Sequence, residues 1–165
     1  MSASPERLLE IYLADHAAAA AAGSELARRV ARSNAATSFG EPLRRLAAEI
    51  EEDRRTLKRV IAELGFRESR TKEALAWTAE RVARLKLNGQ LKGYSPLSRV
   101  VELEALSVGI AGKLALWQSL QLVSGVSDRL PDLDLEELTA RARSQRDEVE
   151  EQRRLAARHA FGSSP

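Results

Sequence analysis

Carboxylates at helical spacing are the residues of this chain best placed to do chemistry. Glu49 and Glu52 stand three positions apart, as do Glu148 and Glu151. Residues i and i+3 share a helical face, so both members of such a pair can reach one metal ion. A di-iron or di-manganese centre in a helical bundle takes a Glu from each of two helices and a Glu-x-x-His from each of the other two. Neither pair supplies the His. Helix-forming sequence elsewhere offers Glu10, Asp15 and His16, and then Glu102 and Glu104. A site built from Glu49, Glu52, Glu102 and Glu148 with His16 would retain much negative charge and lack imidazole ligands. The expectation is therefore no catalytic residue, no cofactor and no metal. Iron or manganese on those five residues, in a carboxylate-bridged oxidoreductase, is the alternative. Acids outside a site should pair with arginines one turn away, as Glu51 with Arg55 and Glu150 with Arg154.

Two polar residues interrupt apolar stripes. His16 and Asp53 each stand where the helical period calls for an apolar side chain. Burying either unpaired would cost about 1–3 kcal/mol or more, so each needs a partner or water. One reading is a ligand or proton-transfer site inside the bundle; the other is a satisfied buried pair or a stripe edge that reaches solvent. Counted along antiparallel helices, Asp53 lies nearer in height to Gly23 than to His16, which weakens a direct pair between them. Trp77 points away from its own helix's apolar face with Arg81 and Arg84 beside it, an arrangement that suits either an Arg stacked on the ring or an interface anchor. The sequence has no Gly-rich phosphate loop, His-Glu-x-x-His or Gly-x-Ser-x-Gly motif. Two histidines and no cysteine leave little for acid–base or thiol chemistry.

The elements that must carry these residues read as helices throughout. Ser4 and Pro5 are an N-cap followed by proline at the first helical position, opening a helix to about Ser33 on the stripe Leu9, Tyr12, His16, Ala19, Gly23, Leu26, Val30. Its run Ala17–Ala22 favours helix and would let another helix approach closely. A second helix from about Glu41 to Leu64 carries Leu43, Leu46, Ile50, Asp53, Leu57 and Val60 on one face; Gly65 and Phe66 read as a Schellman cap. A shorter third runs from about Arg70 to Leu87. Ser95-Pro96 opens a fourth, to about Ser124, apolar on more than one face through residues such as Val101 and Val108 and so expected to be the most buried. Asp134, with Glu137 three residues on, caps a fifth that reaches about Ala160. That last helix carries Gln145, Gln152 and His159 along its stripe. A stripe so polar suggests partial exposure or completion by another subunit, with His159 solvated.

An apolar content of 44% with only 4% aromatics suits an aliphatic helical core better than sheets. The expected fold is all-α: a ferritin-like up-down bundle of four long helices plus a shorter connecting one, forming one domain over 1–161 with 162–165 a disordered tail. The second and fourth helices would be parallel if the third carries the chain back along the bundle; a plain antiparallel bundle of five helices is the rival. No apolar run approaches a membrane span, and the first residues do not read as a signal peptide, so a cytoplasmic protein is expected. The net charge of +2 hides an uneven spread: Arg54 to Arg99 holds twelve Lys or Arg against four Glu, whereas Asp128 to Glu151 holds nine acids against four Arg. The basic stretch could meet an anionic polymer or membrane surface, although only Trp77 and Tyr94 could serve as nucleic-acid stacking platforms, and nucleic acid is not the expected partner.

Three stretches carry a family resemblance: Leu8-Leu9-Glu10-Ile11-Tyr12-Leu13-Ala14-Asp15-His16, Glu49-Ile50-Glu51-Glu52-Asp53-Arg54, and Arg84-Leu85-Lys86-Leu87-Asn88-Gly89 with Gly93-Tyr94-Ser95-Pro96-Leu97-Ser98-Arg99-Val100-Val101-Glu102-Leu103-Glu104. Across nearly its whole length the chain resembles uncharacterised small bacterial proteins of ferritin-like helical-bundle type, chiefly actinobacterial, that lack the usual di-iron ligand pattern. The resemblance implies a fold and no activity. The function expected is a non-catalytic bundle acting through protein association, as a homodimer.

Overall fold

The structure, a computed structural model, describes residues 3–66 and 94–162. Among them every regular element is a helix: α1 (Pro5–Ser33), α2 (Gly40–Glu63), α3 (Pro96–Gln121), the single turn α4 (Val126–Arg129) and α5 (Leu135–Phe161). The helix expected over Arg70–Leu87, with Trp77, Arg81 and Arg84, lies outside the described residues, as does most of the basic stretch Arg54–Arg99. No described helix is long and apolar enough to cross a membrane.

The capping residues act as their types require. Ser4 accepts a hydrogen bond from the Arg7 amide, Asp134 from that of Glu137, and Ser95 from that of Ser98, whose own hydroxyl returns to the Ser95 amide. Each satisfies a donor that the helix's first turn leaves without an intrahelical acceptor. Gly65 takes φ +74°, and the Phe66 amide reaches back to the Ile61 carbonyl, closing α2. Gly40 is needed for a different reason. A Cβ there would stand 2.7 Å from the Ala35 carbonyl oxygen, so only glycine lets α2 start this close to the end of α1.

Two boundaries differ from expectation. The helix from Pro96 ends at Gln121 rather than about Ser124, and Gly125 caps the extra turn α4 inside what reads as a plain connection. Val126 and Leu130 of that turn are buried, and this apolar anchorage drives it to form. Nor is α3 covered on every side. Val101 is exposed and Val108 is 75% exposed.

Cross-helix contacts give the directions. Ser24 to Glu51 joins antiparallel α1 and α2, and Lys113 to Gln145 with Gln121 to Thr139 joins antiparallel α3 and α5. Arg99 stacks 4.4 Å over Phe39 at one end while Lys113 meets Asp53 at mid-height, so α2 and α3 run parallel. Two apolar clusters fill the interior. One holds Leu13, Leu57, Leu116, Trp117 and Leu138; the other holds Leu26, Val30, Leu46, Ile50, Leu103, Ile110 and Val149. In α2, α3 and α5 the changeover between them falls at Asp53, Lys113 and Gln145. A polar layer therefore crosses the bundle at mid-height.

Candidate functional site

Asp53 is the centre of that layer, 3% exposed. Its Oδ1 accepts from Arg141 and its Oδ2 from Lys113, while Gln145 Nε2 also donates to Oδ2 at 3.1 Å. The Gln145 amide further donates to Glu49 at 3.0 Å and accepts from Lys113 through Oε1. Two carboxylates, Glu49 and Asp53, thus face two cations, Lys113 and Arg141, and the layer is neutral as a whole. A charge so deeply buried persists only when paired and hydrogen-bonded. Burial pushes the Lys113 ammonium below its ordinary range, and Asp53 works against that shift.

The partner that Asp53 requires is therefore a pair of cations. Sequence reasoning missed both, because Lys113 and Arg141 carry long side chains that ordinarily end in water. The signal available was Lys113 as the one charged residue in the stretch from Ala105 to Gln121. Gln145 is corrected outright: it is 1% exposed and fully engaged inside this chain, and Gln152 is buried as well. Neither marks an exposed stripe. His159 is exposed, as expected, with its ring edge-on to Phe39 at 5.5 Å.

The carboxylates proposed as metal ligands are spread apart. Glu148 pairs with Arg45 at 2.6 Å, Glu102 with Arg29 at 2.7 Å, Glu49 joins the polar layer, and Glu52 is exposed. His16 packs edge-on against Tyr12, with ring centroids 4.5 Å apart. Among the described residues no three His, Cys, Asp or Glu side chains gather where they could hold an ion. The local acid–arginine pairs do form. Glu51 meets Arg54 at 2.8 Å and Arg55 at 3.4 Å, and Glu150 meets Arg154 at 2.8 Å. Hydrogen bonds from Arg54, and then from Ser24, hold the Glu51 carboxyl down at about 2.

Beside the polar layer, α1, α2 and α3 enclose a cavity of about 260 Å³. Its origin is legible in α1. Between Leu13 and Leu26, the α1 residues of the two core clusters, that helix turns only small side chains and His16 toward the space. Ala19, Ala20 and Gly23 form the α1 wall, and Ala105, Gly109 and Gly112 face them from α3. The alanine run was expected to let another helix close in. Against α2 the α1 helix does pack closely, while toward α3 longer side chains span the two helices on either side of the gap. The Tyr12 hydroxyl meets that of Ser119 at 3.2 Å, and Arg29 meets Glu102 at 2.7 Å. Among the described residues, a Cβ added at Gly23, Gly109 or Gly112 would meet nothing within 4 Å.

The rest of the wall is apolar apart from a few groups. Ile50, Leu57, Leu116 and Trp117 line it, with Asp53 and Lys113 bringing the polar layer to its edge and His16 on the α1 side. Ala19, Val108 and Gly109 are exposed, so on the described surface the cavity opens between α1 and α3. Trp117 is fully buried, and its indole N–H has no hydrogen-bond partner among the described residues. Burial holds His16 below its ordinary value, favouring the neutral ring, with Asp15 opposing. Asp53 and Gly23 border the same space, as their relative heights predicted, and His16 makes no hydrogen bond to Asp53. An apolar recess with a few convergent polar groups is the usual form of a small-molecule site.

Comparison with protein-family models, curated proteins and solved structures gave no match to this chain.

Proposed function

We propose that this is a non-catalytic helical-bundle protein that works by binding, and that a small apolar molecule occupies the cavity between α1, α2 and α3. The observation that carries the reading is the set of glycines in its wall. Glycine inside a helix costs about 0.5–1 kcal/mol relative to alanine. At Gly23, Gly109 and Gly112 no neighbour among the described residues would obstruct a Cβ, so nothing in their packing demands glycine there. What the three residues preserve is room.

Four long helices with α2 and α3 parallel support the ferritin-like description of the bundle. Iron or manganese binding draws no support from the carboxylates, since arginines or the polar layer engage Glu49, Glu102 and Glu148. Self-association as a homodimer loses the ground it had in the polar stripe of α5, because Gln145 and Gln152 are buried within one chain.

Butylbenzene tests the reading. Titrated into the protein, it should shift the methyl resonances of Ile50, Leu57 and Leu116 in a saturable manner. Gly112→Leu, which fills the cavity from α3, should abolish those shifts while the helical circular dichroism is retained. Absence of saturable shifts in the unaltered chain, or undiminished binding by a folded Gly112→Leu variant, would refute it.

A further inference from the structure

We infer that the cavity selects an apolar molecule bearing one neutral oxygen acceptor, a carbonyl group above all, which takes a hydrogen bond from Lys113. This rests on the binding reading above and adds the class of ligand.

The argument is one of donors and acceptors. An ammonium has three N–H groups. Among the described residues, two from Lys113 are accounted for, by Asp53 Oδ2 and Gln145 Oε1. Lys113 lies on the cavity wall, so the remaining N–H is the group the layer can offer a ligand. Asp53 is the weaker candidate to meet a ligand, since three donors already converge on its carboxylate. Its Oδ2 already receives two hydrogen bonds, and its Oδ1 is held by Arg141. The free hydrogen-bonding capacity of the Lys113 ammonium is that of a donor, which favours an acceptor on the ligand over an amine.

Charge separates the remaining acceptors. Glu49 and Asp53 balance Lys113 and Arg141, and Arg54, also on the wall, is paired with Glu51. A carboxylate entering this setting would give up its water with no net positive charge to receive it, a cost of several kcal/mol. A carbonyl loses far less on burial and needs only a donor. A hydroxyl fits less well than a carbonyl because it adds a proton that needs an acceptor of its own.

Four compounds with one apolar body test the assignment: butylbenzene, 4-phenylbutan-2-one, 4-phenylbutyrate and 4-phenylbutylamine, each titrated calorimetrically into the full chain. The ketone should bind about tenfold tighter than butylbenzene, the increment of one charge-assisted hydrogen bond after desolvation. The carboxylate and the amine should bind more weakly than the ketone. Lys113→Met should remove the ketone's advantage, bringing its affinity down to that of butylbenzene measured on the same variant. If that variant does not fold, the four affinities of the unaltered chain decide alone. Butylbenzene binding with the ketone no tighter, or with the carboxylate or amine the best ligand, overturns the assignment and leaves the cavity reading intact. Failure of all four to bind removes both.

Discussion

Asp53→Ala removes the carboxylate on which two cations converge, and its consequence follows from burial. The Asp53 side chain is 2% exposed, against 14% for Lys113 and 24% for Arg141. Deleting one member of a buried ion pair typically costs about 3–5 kcal/mol, because the survivor is left charged and unpaired. Two features place this case near the lower bound. Arg141 keeps some contact with water, and Lys113, already pushed down by burial, can give up its proton. The expected loss is about 3 kcal/mol, a large share of the roughly 5–15 kcal/mol that holds a domain of this kind together. Urea denaturation followed by circular dichroism measures it, with equal slopes required for the comparison. The double variant Asp53→Leu with Lys113→Met should lose less than Asp53→Ala alone, since it withdraws a charge from each side and restores apolar volume. A single variant within about 0.5 kcal/mol of the unaltered chain, a change ordinary for surface positions, would refute the claim that this layer is buried and paired. So would a double variant less stable than Asp53→Ala.

Gly23→Ala and Gly109→Ala should each raise stability by about 0.5–1 kcal/mol, because helix propensity improves and the new methyl meets open space. A loss in either would show that its surroundings are tighter than the distances indicate. The pH dependence of His16 has a fixed sign. Its folded pKa lies below 6.5, so as pH falls through 6.5 the unfolded chain takes up the proton first and stability declines until the folded form also protonates. Urea midpoints compared between the unaltered chain and His16→Phe should diverge in that window, with the variant flatter; parallel curves would place His16 in water.

The long described helices were readable largely from local chemistry. Ser4-Pro5, Ser95-Pro96, Asp134 and Gly65 act through their own backbone neighbours, so nothing remote could overrule them. The turn α4 escaped notice because it depends on burying Val126 and Leu130, an event far from the local sequence signal. The site was half legible. An Asp on an apolar stripe announces a buried partner, yet nothing along the chain says which one.

Composition, period and caps thus determined that this protein is helical, where most of the described helices begin and end, and that Asp53 had to be satisfied. Tertiary structure decided who satisfies it. Lys113 and Arg141 are 60 and 88 residues away, and side chains that usually seek water become interior groups only where three helices converge on one carboxylate. It also decided the fate of the alanines and glycines of α1. Small residues permit both close contact and empty space, and the choice rests on how the neighbouring helices pack, here with Tyr12 on Ser119 and Arg29 on Glu102 spanning α1 and α3 on either side of the cavity.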